Sequence, residues 1–353
     1  MFRCKKNPLI EAKDVKSSRP DFHVDGIFNC GACRFQKQIL LVCRIAESAG
    51  SSQHIVKIPV LKIGENTSKI DVLSIVREEH PDLDFSDRRT IVKRIDGRRK
   101  VAYLTSFSHL RIARSNDGIH FTVDDKPMVL PETAEESWGM EDPRITEIGK
   151  NYYINYTAVS QEGPATGLMK TQDFQHFERL GIIFAPENKD VAIFPGKING
   201  LYYALNRPAS AEFAMPKMWI CESPDLVHWG RQHPLYSGLN SEWDNTKIGG
   251  GAVPFLTRKG WIEIYHAVDY NSHYCLGAML LDRDNPRKIL ARTRKPILRP
   301  ETKYEKQGFF GNTVFTCGCI PSGDKVIVYY GAADDKICRA DYTLDEIFQA
   351  LEP

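Results

Sequence analysis

Ser115-Asn-Asp117-Gly-Ile-His-Phe121, Thr171-Gln-Asp173-Phe-Gln-His-Phe177 and Ser223-Pro-Asp225-Leu-Val-His-Trp229 are three statements of one phrase: a small or polar residue, an aspartate, and an aromatic four positions after it. From 117 to 173 to 225 the aspartates recur at 56 and 52 residues, close to the ~50-residue period of propeller-type blades. A weaker fourth copy, Asp282-Arg-Asp284-Asn-Pro286, puts Asp284 a further 59 residues on. Each copy follows an apolar run and sits at a turn-rich tip, where a hairpin would join the outer strands of a blade.

Outward from these tips, short β-branched and aromatic runs bounded by Gly, Asn, Asp and Pro read as strands at 39–45, 151–159, 200–205, 260–268 and 325–330. Asn151-Tyr-Tyr, Gly200-Leu-Tyr-Tyr and Gly260-Trp-Ile suggest tight turns into inner strands. Helical pattern is scarce. Leu344, Ile347, Phe348 and Leu351 lie at i, i+3, i+4, i+7, and Thr343 with Glu346 makes a capping box, so a short amphipathic helix is expected over 341–352. A second helix is expected to begin near 71–79. The fold class is all-β, with radially repeated blades whose polar residues meet at a central channel.

The chain has 353 residues, 42% hydrophobic and 26% charged, which supplies a core and excludes disorder as its main state. Lys plus Arg number 47 against 45 for Asp plus Glu, and the resulting +2 is too small for a polyanion or membrane surface to be the main partner. Arg98-Arg99-Lys100, with Lys93 and Arg94 before it, reads as a solvated loop, and no basic run is interleaved with aromatics, so nucleic acid is not expected. Residues 1–10 lack a signal-length apolar stretch and no run of ~18 apolar residues occurs, which points to a soluble, cytoplasmic chain. Nine cysteines, an odd number, argue against a disulfide framework. Cys30 with Cys33 and Cys317 with Cys319 lie far apart without nearby His ligands, and read as buried thiols rather than a zinc site; no metal is expected.

Two groups of residues could carry chemistry. Trp138-Gly-Met-Glu141-Asp142-Pro143-Arg144 sets adjacent carboxylates before a proline that biases Asp142 toward an extended backbone. It fits a turn whose Asp caps amides and whose Arg pairs with an acid. It equally fits a sugar site, where a pyranose stacks on a ring and its hydroxyls meet charged acceptors. The second group is cationic: Lys189, Arg207 after the strand-like 201–206, Lys247 before Gly249-Gly-Gly251, and His266 after 260–265. Singly they suit salt bridges; together they supply the point charge, bidentate fork and directional donor that a small inorganic anion requires.

Asn7-Pro-Leu-Ile10, Glu141-Asp142-Pro143-Arg144, Lys189-Asp190-Val-Ala-Ile-Phe-Pro195-Gly-Lys-Ile-Asn-Gly200, Asn206-Arg207-Pro208, Ser223-Pro-Asp-Leu-Val-His-Trp229, Lys247-Ile-Gly-Gly-Gly251, Gly260-Trp-Ile-Glu-Ile-Tyr-His266 and Tyr329-Tyr-Gly-Ala-Ala-Asp334, in this order, resemble glycoside hydrolase family 130. The resemblance runs from Asn7 to Asp334 and implies a five-bladed β-propeller as one domain over 1–353, and inverting phosphorolysis of β-mannosides. It implies Asp142 as the acid, acting through the mannose 3-hydroxyl as a proton relay. Lys189, Arg207, Lys247 and His266 would bind phosphate, and Asn29, Arg44 and Asp334 the non-reducing mannose, with Glu141 and Arg144 beside them. Many members have His-Gly where this chain has His266-Ala267, and the extra methyl would narrow the site. The stretch from Tyr103 to Ser115 looks more like the β-1,2-mannobiose and β-1,2-oligomannoside branch than the β-1,4-mannosylglucose branch, with His109 and Arg111 as acceptor contacts.

Inverting hydrolysis needs an acid and a carboxylate base about 6.5 to 9.5 Å away, whereas a phosphorylase needs the acid and cations that hold an already anionic nucleophile. The cationic set therefore favours phosphorolysis, with β-mannoside and inorganic phosphate as partners and no cofactor. Three rivals remain: β-1,4-mannosylglucose phosphorolysis, an inverting hydrolase with Glu222, Glu242 or Glu263 as base, and a non-catalytic glycan-binding propeller. For Asp142 to act as an acid near neutral pH its pKa would have to be raised, by burial and Glu141 against Arg144. The sequence leaves a homo-oligomer open.

Overall fold

The computed structural model describes residues 1–64, 67–209, 215–238 and 242–352. It is nearly all β, with two short α-helices, Lys303–Lys306 and Leu344–Ala350. The strands form successive antiparallel meanders. The first runs Phe22–Phe35, Gln38–Ala49 and Phe107–Ser115, with Thr122–Val123 on its outer edge. Gly139–Ile148, Asn151–Ser160, Gly163–Thr171 and Glu178–Phe184 follow, tied to the first by a single parallel pairing of Gly139 with Ser108. Next come Asn188–Ile193, Tyr202–Pro208, Met218–Ser223 and Gly230–Tyr236. In the fourth, Lys247–Gly249 and Phe255–Thr257 both pair with Gly260–Val268, followed by Tyr274–Leu281 and Ile289–Thr293. The last is Val314–Ser322, Lys325–Ala332 and Lys336–Thr343, completed by Phe2–Arg3 from the other end of the chain.

Apolar side chains alternate along these strands and fill the space between consecutive sheets. Leu40, Leu110, Ile154 and Met169 join the first to the second; Leu168, Ile193 and Ala204 the second to the third. Phe194, Leu205, Trp261 and Tyr265 join the third to the fourth, and Ile262, Leu276, Val328 and Tyr330 the fourth to the fifth. Ile27, Leu41, Ile320 and Tyr329 then pack the last sheet back on the first. Fully burying one Leu, Ile or Phe side chain contributes roughly 1.5–3 kcal/mol, so these interfaces dominate the fold.

The repeated tips are hairpin turns between the outer strands. Asp117 Oδ1 accepts from the backbone N–H groups of Ile119 (2.9 Å) and His120 (2.8 Å), and its Oδ2 meets His120 Nδ1 at 2.7 Å. Asp173 with His176 and Asp225 with His228 repeat the arrangement. In the fourth copy the equivalent residue is Asp282, which accepts from the N–H groups of Asp284 (3.0 Å) and Asn285 (2.9 Å). The sequence assignment of that role to Asp284 is corrected: the spacing from Asp225 to Asp282 is 57 residues.

The capping box of the terminal helix forms, with Thr343 accepting from Glu346 N–H, and the helix spans Leu344–Ala350 within the expected 341–352. The second expected helix does not form. Ser68–Val76 is a strand of a hairpin with Ile55–Ile63, and only Arg77–Glu79 makes a 3-10 turn. Ile70, Val72 and Ile75 are β-branched, and pairing with the adjacent strand Ile55–Ile63 along their length outweighs a weak helical propensity. Residues 98–100, expected as a loop, begin the strand Arg98–Leu104 and are exposed.

Candidate active site

A cavity of about 140 Å³ lies where the innermost strands converge, lined by Asn29, Arg44, Arg89, Asp142, Lys189, Asp190, Arg207, His266, Tyr274 and Asp334, among others. The same backbone device brings three of these residues there. The innermost strand of each of the first three sheets breaks register by a bulge, between Phe28 and Gly31, Glu141 and Arg144, and Lys189 and Ala192. In each bulge one residue takes a left-handed conformation: Asn29 (φ +48°), Asp142 (φ +50°) and Asp190 (φ +57°). Asn and Asp tolerate that region best among non-glycine residues, and a bulge turns the side chain out of the sheet's alternation. Asp334 reaches the cavity from a left-handed turn (φ +49°) after Lys325–Ala332.

Asp142 is buried, at 4% exposure. Its Oδ1 accepts from Asn29 Nδ2 at 2.9 Å and Arg44 Nη1 at 3.1 Å. Burial raises its pKa, but Arg44, Lys189, Asn29 and Arg144 together hold the carboxyl below the usual carboxylate range. The raised value that the sequence reading required is not what these neighbours produce. Arg44 also donates to Glu141 Oε1 (2.7 Å) and Ser108 Oγ (3.0 Å), and Lys189 Nζ lies 3.7 Å from Glu141 Oε2. Glu141 does not line the cavity; it anchors two cations that do. Asp334 is pushed up to about 7 by loss of hydration and by the negative charge of Asp142 and Glu141, against Arg44 and Arg89.

On the cationic side, Asp190 Oδ2 accepts from Arg207 Nε at 2.6 Å and lies 3.3 Å from His266 Nε2. Burial holds the imidazole below its ordinary pKa despite Asp190. Lys247 does not line the cavity. It stands close enough for Arg207 and Lys189 to lower its pKa, in addition to the loss of hydration.

Several sequence assignments fall elsewhere. Arg144, expected as a sugar contact, is 1% exposed and spends its guanidinium on the backbone carbonyls of Gly251 (2.6 Å), Gly250 (2.8 Å) and Asp142 (3.1 Å). It braces the floor and does not line the cavity. His109 and Arg111, expected as acceptor contacts, are fully buried; His109 faces Glu47 at 3.6 Å and Arg111 donates to the Lys16 carbonyl at 2.6 Å. Strand alternation points them into the space under the N-terminal segment. The Ala267 methyl packs in the core with Trp243 and Ile248, on the face opposite His266, and does not narrow the site. Trp138 is likewise absent from the lining, whose aromatics are Tyr274, Phe310 and Phe315.

Nor does any glutamate named as a hydrolytic base line this cavity. Glu263 is fully buried, accepts from Gly251 N–H at 2.8 Å, and is pushed well above the carboxylate range by burial. Glu222 is held by Tyr203 and Arg287, and Glu242 lines a separate cleft of about 1060 Å³ beside Met1 and Arg294. All nine cysteines are free thiols. Among the described residues no group of three or more His, Cys, Asp or Glu is placed to hold a metal, and no helix is long and apolar enough to cross a membrane.

Sequence reasoning passed over Arg89, Asp190 and Tyr274. Asp190 shares with Asn29 and Asp142 the place of an Asn or Asp at the bulge of an innermost strand, a residue choice visible in the sequence. Arg89 arrives from the segment between Gln38–Ala49 and Phe107–Ser115, held by a cation–π contact with Phe310 at 4.9 Å, and nothing local announces it.

The family profile described as beta-1,4-mannooligosaccharide phosphorylase, Glyco_hydro_130, matches residues 93–353. The beta-1,2-mannobiose phosphorylase of Listeria innocua is 42% identical over 355 aligned positions, covering 100% of this chain and 98% of that protein. A 1,2-beta-oligomannan phosphorylase of Thermoanaerobacter sp. is 41% identical over 68% of this chain and 80% of its own. The Listeria innocua beta-1,2-mannobiose phosphorylase in complex with beta-1,2-mannobiose superposes with a TM-score of 0.93, covering 99% of this chain and 98% of that one. With a profile match across most of its length and a relative aligned end to end, the chain belongs to glycoside hydrolase family 130.

Proposed function

We propose that this protein is an inverting phosphorylase that cleaves β-1,2-linked mannobiose and short β-1,2-oligomannosides with inorganic phosphate, giving α-mannose 1-phosphate and a shortened acceptor. The observation that carries this reading is the make-up of the cavity: Asp142 shares it with Lys189, Arg207 and His266, and none of the candidate glutamate bases lines it. A phosphate oxygen would form the new bond to the anomeric carbon as the bond to the leaving sugar breaks. The leaving oxygen takes its proton from Asp142, directly or through the mannose 3-hydroxyl. Phosphate brings negative charge to Lys189 and its neighbours, which lessens their hold on Asp142 and lets it carry that proton. Asn29, Arg44 and Asp334 suit the mannose hydroxyls; Lys247 and Arg89 add positive charge near the anion. The reading needs no metal or organic cofactor.

Five antiparallel meanders that pack each on the next, and the last on the first, support a five-bladed β-propeller forming one domain over 1–353. The names of the relatives at 42% and 41% identity support β-1,2 over β-1,4 linkage. The test is to incubate β-1,2- and β-1,4-mannobiose with and without inorganic phosphate and follow the products by NMR. Phosphate-dependent α-mannose 1-phosphate from the β-1,2 substrate is expected. Mannose release indifferent to phosphate would establish a hydrolase, and preference for the β-1,4 substrate would overturn the linkage.

A further inference from the structure

Asp190 is the point at which the cationic wall converges, and it is 1% exposed. One oxygen, Oδ2, takes Arg207 Nε at 2.6 Å and faces His266 Nε2 at 3.3 Å; Oδ1 faces Arg144 Nη2 at 3.7 Å and has no hydrogen-bond partner among the described residues. These partners come from Tyr202–Pro208, Gly260–Val268 and Gly139–Ile148, strands of three different sheets. Gly249 closes the remaining side: a Cβ there would lie 2.5 Å from Asp190 Oδ2 and 2.6 Å from His266 Cε1, so only glycine fits against the pair.

The directions of these contacts matter more than their charge. An arginine held by Nε presents its two terminal nitrogens as a fork, the arrangement that grips a phosphate through two oxygens. A neutral histidine that keeps its proton on Nε2, beside a carboxylate, leaves Nδ1 as a lone-pair acceptor, and such an acceptor meets phosphate through a P–O–H donor. Nδ1 of His266 is buried and has no protein partner among the described residues, in a side chain that lines the cavity.

We propose that Asp190 is the positioning residue of the phosphate site: from one carboxylate oxygen it aims the Arg207 fork at the charged oxygens of the incoming phosphate and leaves the His266 Nδ1 to accept from its P–O–H. This rests on the phosphorylase reading above and deepens it. Asp190 touches neither sugar nor the bond that breaks. Its removal should therefore act on phosphate alone, as exchange of a buried carboxylate for an amide lets an imidazole adopt the wrong tautomer.

The test uses the full-length chain with β-1,2-mannobiose and inorganic phosphate, each varied at saturating levels of the other. Asp190→Asn should raise the phosphate KM roughly 10- to 100-fold, the range for lost hydrogen bonds to charged groups, and leave the mannobiose KM within about twofold. Arg207→Lys keeps the charge but loses the aimed fork, and should raise the phosphate KM at least about tenfold; it serves if Asp190→Asn does not fold. Asp190→Asn on a His266→Gln, Arg207→Lys background should add little, because the residues it positions are already gone. Parallel increases in both KM values, an unchanged phosphate KM in Arg207→Lys, or effects that multiply in the combined variant would each overturn the inference. Wild-type turnover that ignores phosphate would instead remove the phosphorylase reading itself.

Discussion

The outer hairpin tips and the inner-strand bulges use the same residue for opposite ends. At the tips, Asp117, Asp173 and Asp225 stand in solvent and are satisfied within three residues by their own turn and its histidine. Their carboxyls are held well below the usual range by those local hydrogen bonds, and they touch nothing beyond the turn. At the bulges, Asp142 and Asp190 are buried and depend on partners far along the chain. Asn29 and Arg44 lie 113 and 98 residues from Asp142, and Arg207 lies 17 from Asp190. A carboxylate satisfied locally stabilises a turn and has nothing left to offer. One assembled from several sheets depends on the whole fold, and its chemistry is set by what those sheets bring to it.

The largest expected effect comes from breaking the bulge side. Asp142→Asn removes the proton donor and should lower kcat by about 10²–10⁴-fold, the usual contribution of general acid catalysis, while calorimetry still detects β-1,2-mannobiose binding. Turnover within a factor of a few of wild type would show that another group supplies the proton.

A smaller effect should appear in stability against pH. The folded pKa of Asp334, about 7, lies above its ordinary value of 3.8, so the native state holds a proton that the unfolded chain has released between these values. Its stabilising contribution is complete below the unfolded value and is lost as pH rises through the folded one. In phosphate-free buffer, thermal melts of wild type and Asp334→Asn should diverge as pH rises from about 5 to about 8, with the wild type losing the more. Curves that stay parallel would mean that the carboxyl is already ionised throughout.

The smallest effect is expected at a tip. Asp173→Ala removes the acceptor for two backbone N–H groups and should lower the melting temperature slightly, with kcat and both KM values within about twofold. A large change in either KM would join the tips to function and dissolve the distinction drawn here.

This division also explains what could be read in advance. The tips were legible because every partner lies within the quoted phrase, and the strands around them because alternation and turn residues are local signals. Even there a two-residue ambiguity between Asp282 and Asp284 went the wrong way, since either aspartate can cap a turn and only the backbone geometry chooses. The cationic residues were legible as a class. Whether each reaches the cavity was not: Arg144 braces backbone carbonyls, His109 faces the buried Glu47, and Lys247 stands near the cavity without lining it. The strand at Ser68–Val76 was misread because its partner at Ile55–Ile63 outweighs local propensity.

The sequence by itself determined the repeat, the all-β class and the stock of acid, cations and polar acceptors, because period, alternation and residue chemistry are properties of short stretches. Only the tertiary structure decided which of them share a cavity, that Arg44 and Lys189 pull the Asp142 carboxyl below its usual range, and that Asp190 joins Arg207 to His266. Hydration, field strength and aim depend on side chains from separate sheets coming within a few ångströms, and no local pattern encodes that approach.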